Sequence, residues 1–86
     1  MPKISEFYGI AIYMYYRDHS PPHFHAMYAG FEAEIAIASG ELMDGELPPS
    51  ARRLVRVWAD THRAQLEANW HRARLGLACL PIEPLE

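Results

Sequence analysis

The pair Pro48-Pro49 constrains this chain more than any other feature, because the hydrophobic period changes there. Ahead of it, apolar residues recur at spacings of one and two, as strands require. Behind it they recur every three or four, as a helix requires. Two consecutive prolines cannot sit inside a sheet ladder, and a proline suits the first turn of a helix, where its missing N–H has no intrahelical use. The 86 residues therefore divide into a β half and an α half.

The first strand is read over residues 7–16, F-Y-G-I-A-I-Y-M-Y-Y, with Ile10, Ile12, Met14 and Tyr16 on one face and Ala11, Tyr13 and Tyr15 on the other. Residues 17–22 connect it to a second strand at His23–Tyr28. Ala29-Gly30 then turns into F-E-A-E-I-A-I-A, where Phe31, Ala33, Ile35 and Ile37 alternate with Glu32 and Glu34. Asp44-Gly45 signals a short extra hairpin. Beyond the prolines, Leu54, Trp58, His62, Leu66 and Trp70 form a stripe at every fourth position, with no Gly or Pro over residues 50–75. One long helix over 49–75 is expected, with Asp60-Thr61 as the place for any break and Gly76 as its C-cap. The fold class is α+β. A meander of three strands plus a short hairpin (residues 1–47) packs against that helix, and an apolar tail (76–86) lies back over a single domain. A chain this small gains from a partner, so a homo- or hetero-oligomer is expected.

Net charge is −3, but its distribution says more. Residues 1–48 hold two basic and seven acidic side chains; residues 49–75 hold six arginines against two acids. A basic helix face beside an acidic sheet follows. The single Cys79 excludes an internal disulfide and fits a reducing cytoplasm. No apolar run is long enough to span a membrane, and the first residues lack a signal-peptide pattern.

Function concentrates in residues 18–25, D-H-S-P-P-H-F-H. On an extended strand His23 and His25 project to the same face, and H-x-H on a strand is a recurrent way to offer two imidazoles to one ion. His19 is a third candidate ligand, and Asp18 or Glu34 an oxygen ligand or a tautomer-fixing acceptor. That set would take a divalent transition metal such as zinc, and with an open position it would suit hydrolysis. The same residues serve metal-free chemistry: His23 and His25 as an acid–base pair that cleaves RNA, with His62 approaching from the helix. A structural role, stiffening a proline-rich turn, is the third reading. Arg52, Arg53 and Arg56 cluster at one helix end and form a candidate surface for RNA or an acidic partner protein.

The start M-P-K-I, the D-H-S-P-P-H-F-H block, E-A-E-I-A-I, G-E-L-P and the helix W…H…L…N-W ending in P-I-E-P-L resemble the bacterial domain-of-unknown-function family 4160 over nearly the whole chain. The matching positions are Asp18, His19, Pro21, Pro22, His23, His25, Glu34, Trp58, His62, Asn69 and Trp70. The resemblance implies strands followed by helix. It also implies a neighbouring gene for a second small protein, in an arrangement similar to toxin–antitoxin operons. It transfers no catalytic assignment.

Overall fold

A computed structural model describes residues 3–86; Met1 and Pro2, which open the M-P-K-I stretch, lie outside the described residues. Five strands, β1 (Lys3–Phe7), β2 (Ile10–Tyr13), β3 (His23–Tyr28), β4 (Phe31–Ala36) and β5 (Leu42–Gly45), pair antiparallel in sequence order. Two helices follow, α1 (Pro49–Thr61) and α2 (Arg63–Arg74).

The expected three strands and hairpin become five strands because two turn signals act differently from the reading above. Tyr8 and Gly9 both have positive φ, 50° and 77°, as a type I′ turn requires. The aromatic run is thereby split, and β1 folds back on β2. Ala29 and Gly30 make the corresponding β3–β4 turn, at φ 48° and 86°. Asp44-Gly45, by contrast, is no hairpin. It lies inside β5, paired with Ala33 and Glu34, while the β4–β5 turn closes around Gly40 through its N–H on the Ala36 carbonyl at 2.8 Å.

The two faces of the sheet have different fates. Phe7, Ile10, Ile12, Phe24, Ala26, Ala33 and Ile35 share one face through their register and are buried. Alternation along β2 and β4 places them there, as the sequence pattern requires. α1 covers this face with Ala51, Val55, Trp58 and Ala59, and the Trp58 ring lies 5.3 Å from Phe7 and 5.7 Å from Phe24. A buried tryptophan of this kind contributes about 3–5 kcal/mol relative to alanine.

The single long helix is interrupted at His62, whose φ of −113° and ψ of 24° leave the helical region. Thr61 donates its hydroxyl to the Val57 carbonyl at 3.1 Å, the back-bond that bends helices. Two residues later Arg63 donates Nε to the Ile37 carbonyl at 3.1 Å, tying the start of α2 to the turn that follows β4. The tail lies against the domain. Asn69 brackets Leu80 with two hydrogen bonds of 2.8 Å, Trp58 Nε1 donates to the Glu83 carbonyl at 2.8 Å, and Ile82 N–H reaches the Ile4 carbonyl. Among the described residues no helix is long and apolar enough to cross a membrane.

Candidate functional site

The second face of the sheet is not covered by helix along its length. Cross-strand register lays Tyr13, His25, Glu34 and Asp44 in one row across β2 to β5, and Met27 and Glu32 in the next. The connection over residues 14–22 folds across one end of this face. Arg17 enters it at φ 54°, with its N–H on the Ala73 carbonyl at 3.2 Å, and Ser20-Pro21 is a cis peptide. That path carries Asp18 and His19 over the start of β3. From the helix side Trp70 packs on His23 with ring centroids 5.2 Å apart. Arg74 lies over Trp70 and donates to the Ser20 hydroxyl at 3.3 Å.

Under this cover His23 is fully buried and His25 is only 6% exposed, although both project to the open face. The Nε2 atoms of His23 and His25 each lie 3.0 Å from the same oxygen, Oδ2 of Asp18. Glu34 Oε1 stands 3.7 Å from the Nε2 of both His23 and His19. Two triads, Asp18/His23/His25 and His19/His23/Glu34, thus have donor atoms mutually within 4.8 Å, and His23 belongs to both.

The hydrogen bonds fix protons. A carbonyl only accepts, so the 2.8 Å contact of His23 Nδ1 with the Pro21 carbonyl places a hydrogen on Nδ1. In the neutral ring Nε2 then carries a lone pair facing a carboxylate oxygen, and in the protonated ring it donates to that oxygen at 3.0 Å. Burial acts to raise the Asp18 carboxyl, but the hydrogen bond from His25, the His19 backbone N–H and the nearby imidazoles outweigh it. The group is held below its ordinary value and is ionised. His25 donates from Nε2 to Asp18, which leaves its Nδ1 buried with no hydrogen-bond partner. The cluster therefore has two ring nitrogens and at least one anionic oxygen converging on a point where positive charge is favoured.

Of the residues expected to form a site, the structure brings together Asp18, His19, His23, His25 and Glu34. His62 stands elsewhere: it sits at the helix junction, bonds Gln65 at 2.7 Å and packs on Trp58, which in turn packs on Phe24 of the core face. Arg52, Arg53 and Arg56 line a separate groove of about 310 Å³ between β5 and α1, with Ile35, Leu42 and Val57. Arg56 is paired with Glu41 at 2.7 Å; among the described residues Arg52 and Arg53 have no carboxylate in ion-pair range. Sequence reasoning missed the Pro21 carbonyl and Glu32, whose Oε2 lies 3.7 Å from His25 Nδ1. Glu32 was legible as a same-face neighbour of His25 once the β3–β4 register is drawn. The Pro21 carbonyl carries no side-chain signal. Trp70, expected as plain core, is also a wall of the site.

Fold and site together define a small α+β domain that holds a histidine–carboxylate cluster on the open face of an antiparallel sheet. The family model described as Domain of unknown function (DUF4160) matches residues 9–71, and the chain belongs to that family. The matched stretch contains the whole cluster and both tryptophans. No curated protein and no solved structure matches the chain.

Proposed function

We propose that this domain binds one divalent transition-metal ion, with His23 Nε2, His25 Nε2 and Asp18 as ligands and His19 or Glu34 closing the fourth position. The observation that carries this reading is the hydrogen bond from His23 Nδ1 to the Pro21 carbonyl. Metal-bound histidines characteristically donate their other nitrogen to a carbonyl or carboxylate, which fixes the tautomer that ligates. The 3.0 Å approach of His23 Nε2 to Asp18 Oδ2 requires a positive charge between them, which a proton on Nε2 or a bound cation supplies.

The dimensions agree. Two bonds of about 2.1 Å at a tetrahedral angle put donor atoms about 3.4 Å apart, a small expansion of the 3.0 Å spacings here. One imidazole nitrogen ligates one ion, so the triads that share His23 Nε2 describe one centre and not two. Imidazole and carboxylate donors suit zinc, copper, nickel or iron. With a water in place of His19 or Glu34 at the fourth position, such an ion would supply Lewis acidity to that water and so a hydrolytic capacity. A metal-free acid–base pair needs both rings to reach substrate, and a fully buried His23 weighs against it.

The test is metal analysis and zinc titration of protein purified without an affinity tag. The expected result is one ion per chain, thermal stabilisation by added zinc and loss of both in H23Q. Folded wild-type protein that takes up no zinc, cobalt(II) or nickel(II) at stoichiometric concentration overturns the reading.

A second reading has its own observation. Arg52 and Arg53, without carboxylate partners in a groove with apolar walls, favour docking of an acidic partner protein. The small protein encoded by the neighbouring gene, in a toxin–antitoxin-like pair, is the candidate. The acidic sheet half makes RNA the less favoured occupant. Co-purification with that protein, abolished by R52E/R53E, is the expected result; binding unchanged in the double variant refutes it.

A further inference from the structure

The two buried histidines are not in equivalent states. His23 holds a hydrogen on Nδ1, against the Pro21 carbonyl, which leaves Nε2 as its nitrogen for an ion. His25 has the opposite arrangement. Its Nε2 carries the hydrogen that Asp18 accepts at 3.0 Å, and its Nδ1 is a buried lone pair with no donor near it. An unsatisfied buried polar atom of this kind is uncommon in native proteins and calls for an explanation.

The surroundings of that atom are specific. Glu32 Oε2 stands 3.7 Å away, and an acceptor facing a lone pair gains nothing by coming closer. The Tyr15 ring, with its centroid 4.2 Å from that of His25, packs edge-on against the imidazole. The register sets Glu32 opposite Met27 and so diagonally across from His25, on the same face, where a long side chain reaches its neighbour. The Glu32 side chain is 55% exposed and can rotate at little cost, whereas the His25 side chain is 8% exposed and held in place.

Taken with the metal reading, on which this inference rests, these facts give Glu32 a role. We infer that Glu32 is a positioning carboxylate, which accepts the Nδ1–H of His25 once Nε2 of that ring ligates the ion. Ligation needs the Nε2 lone pair, so the Nε2 proton passes to solvent and Nδ1 takes one up, with no net change in ring protonation. The new N–H is then a buried donor, and Glu32 closes from 3.7 Å to hydrogen-bonding distance. The result is a carboxylate–histidine–metal relay. His23 is preset by a backbone carbonyl, and His25 is set by a mobile side chain, so ion binding and closure of Glu32 are coupled.

The experiment titrates zinc into metal-free wild type, E32A and E32Q, and follows the His25 ring nitrogens by ¹⁵N NMR. The expected result is a zinc-induced change of His25 from the Nε2–H to the Nδ1–H form in wild type. Affinity should fall 10–100-fold in E32A and recover in large part in E32Q, whose amide oxygen still accepts. Because Glu32 is exposed, the variants should melt as wild type does in the absence of zinc, which separates this loss from unfolding. Equal zinc affinity in E32A and wild type, with the same His25 tautomer, overturns the role of Glu32 while leaving the metal centre intact. A wild-type protein that binds no zinc overturns the metal centre and this inference together.

Discussion

Asn69 offers a sharp test of how the C-terminal tail is held. The residue is 2% exposed and its side chain copies a strand's pairing: Nδ2 donates to the Leu80 carbonyl and Oδ1 accepts the Leu80 N–H, both at 2.8 Å. N69A removes both bonds. Each is worth about 1 kcal/mol net, and a buried group left unpaired costs about 1–3 kcal/mol more. Leu80 is itself 56% exposed, so its freed backbone can turn to water and escape most of that second cost. The working figure is thus about 2–3 kcal/mol, a large share of the roughly 5 kcal/mol expected for a domain of this size. At about 4–8 °C per kcal/mol, the melting temperature should fall by about 10–20 °C. Circular dichroism melts and urea titrations read it directly. Cys79 gives a second readout, since its thiol points at the Asn69 carbonyl at 3.6 Å and should react faster with a disulfide reagent when the tail lifts. A change below about 0.5 kcal/mol, with unaltered thiol reactivity, refutes the claim that this amide clamps the tail.

Other expectations are simpler. A Cβ at Gly45, where φ is 79°, would strike the Glu32 carbonyl oxygen, so G45A should destabilise by about 3 kcal/mol or more, read by urea titration. H62A should leave zinc stoichiometry at the wild-type value while H25A lowers it, because His62 contacts Gln65 and Trp58; equal losses would disprove the separation. Burial pushes the Cys79 thiol above its ordinary 9.0, with the Arg72 charge pulling the other way. The folded thiol therefore keeps its proton longer than the unfolded one. That contribution to stability is full below the unfolded value and is lost as pH rises through the folded one. Wild type should then lose more melting temperature than C79S on going from neutral pH to above 9.0, a comparison made by differential scanning calorimetry.

The helical half and the core face were readable because each rests on one periodic signal. Alternation put Ile10, Ile12, Ala33, Ile35 and Ile37 on the buried face, and the every-fourth stripe put Trp58, Leu66 and Trp70 inside. What failed was punctuation. Tyr8-Gly9 reads as strand because tyrosine favours strands, and only the pair of positive φ angles makes it a turn. Asp44-Gly45 reads as a turn because the pair usually is one; here the glycine serves a close backbone approach. The helix break has no Gly or Pro to announce it and coincides with Arg63 reaching the Ile37 carbonyl just past β4. At the site, H-x-H spacing located His23 and His25, but Pro21's carbonyl and the Glu32 diagonal depend on loop path and register.

Every side chain of the cluster, from Asp18 to Glu34, is supplied by one connection and the hairpin that follows it. The loops to be closed in bringing them together are short, so the chain entropy spent on assembling the centre is small and largely independent of the rest of the fold. The arginine groove is the opposite case, because its walls come from β4, β5 and α1 and exist only when sheet and helix are docked. The cluster's donors are accordingly contiguous in sequence, and α2 adds the Trp70 wall from outside that segment. New chain termini placed in the Ser39–Gly40 turn should leave its donors joined on one continuous segment, while the same cut severs the groove's own framework.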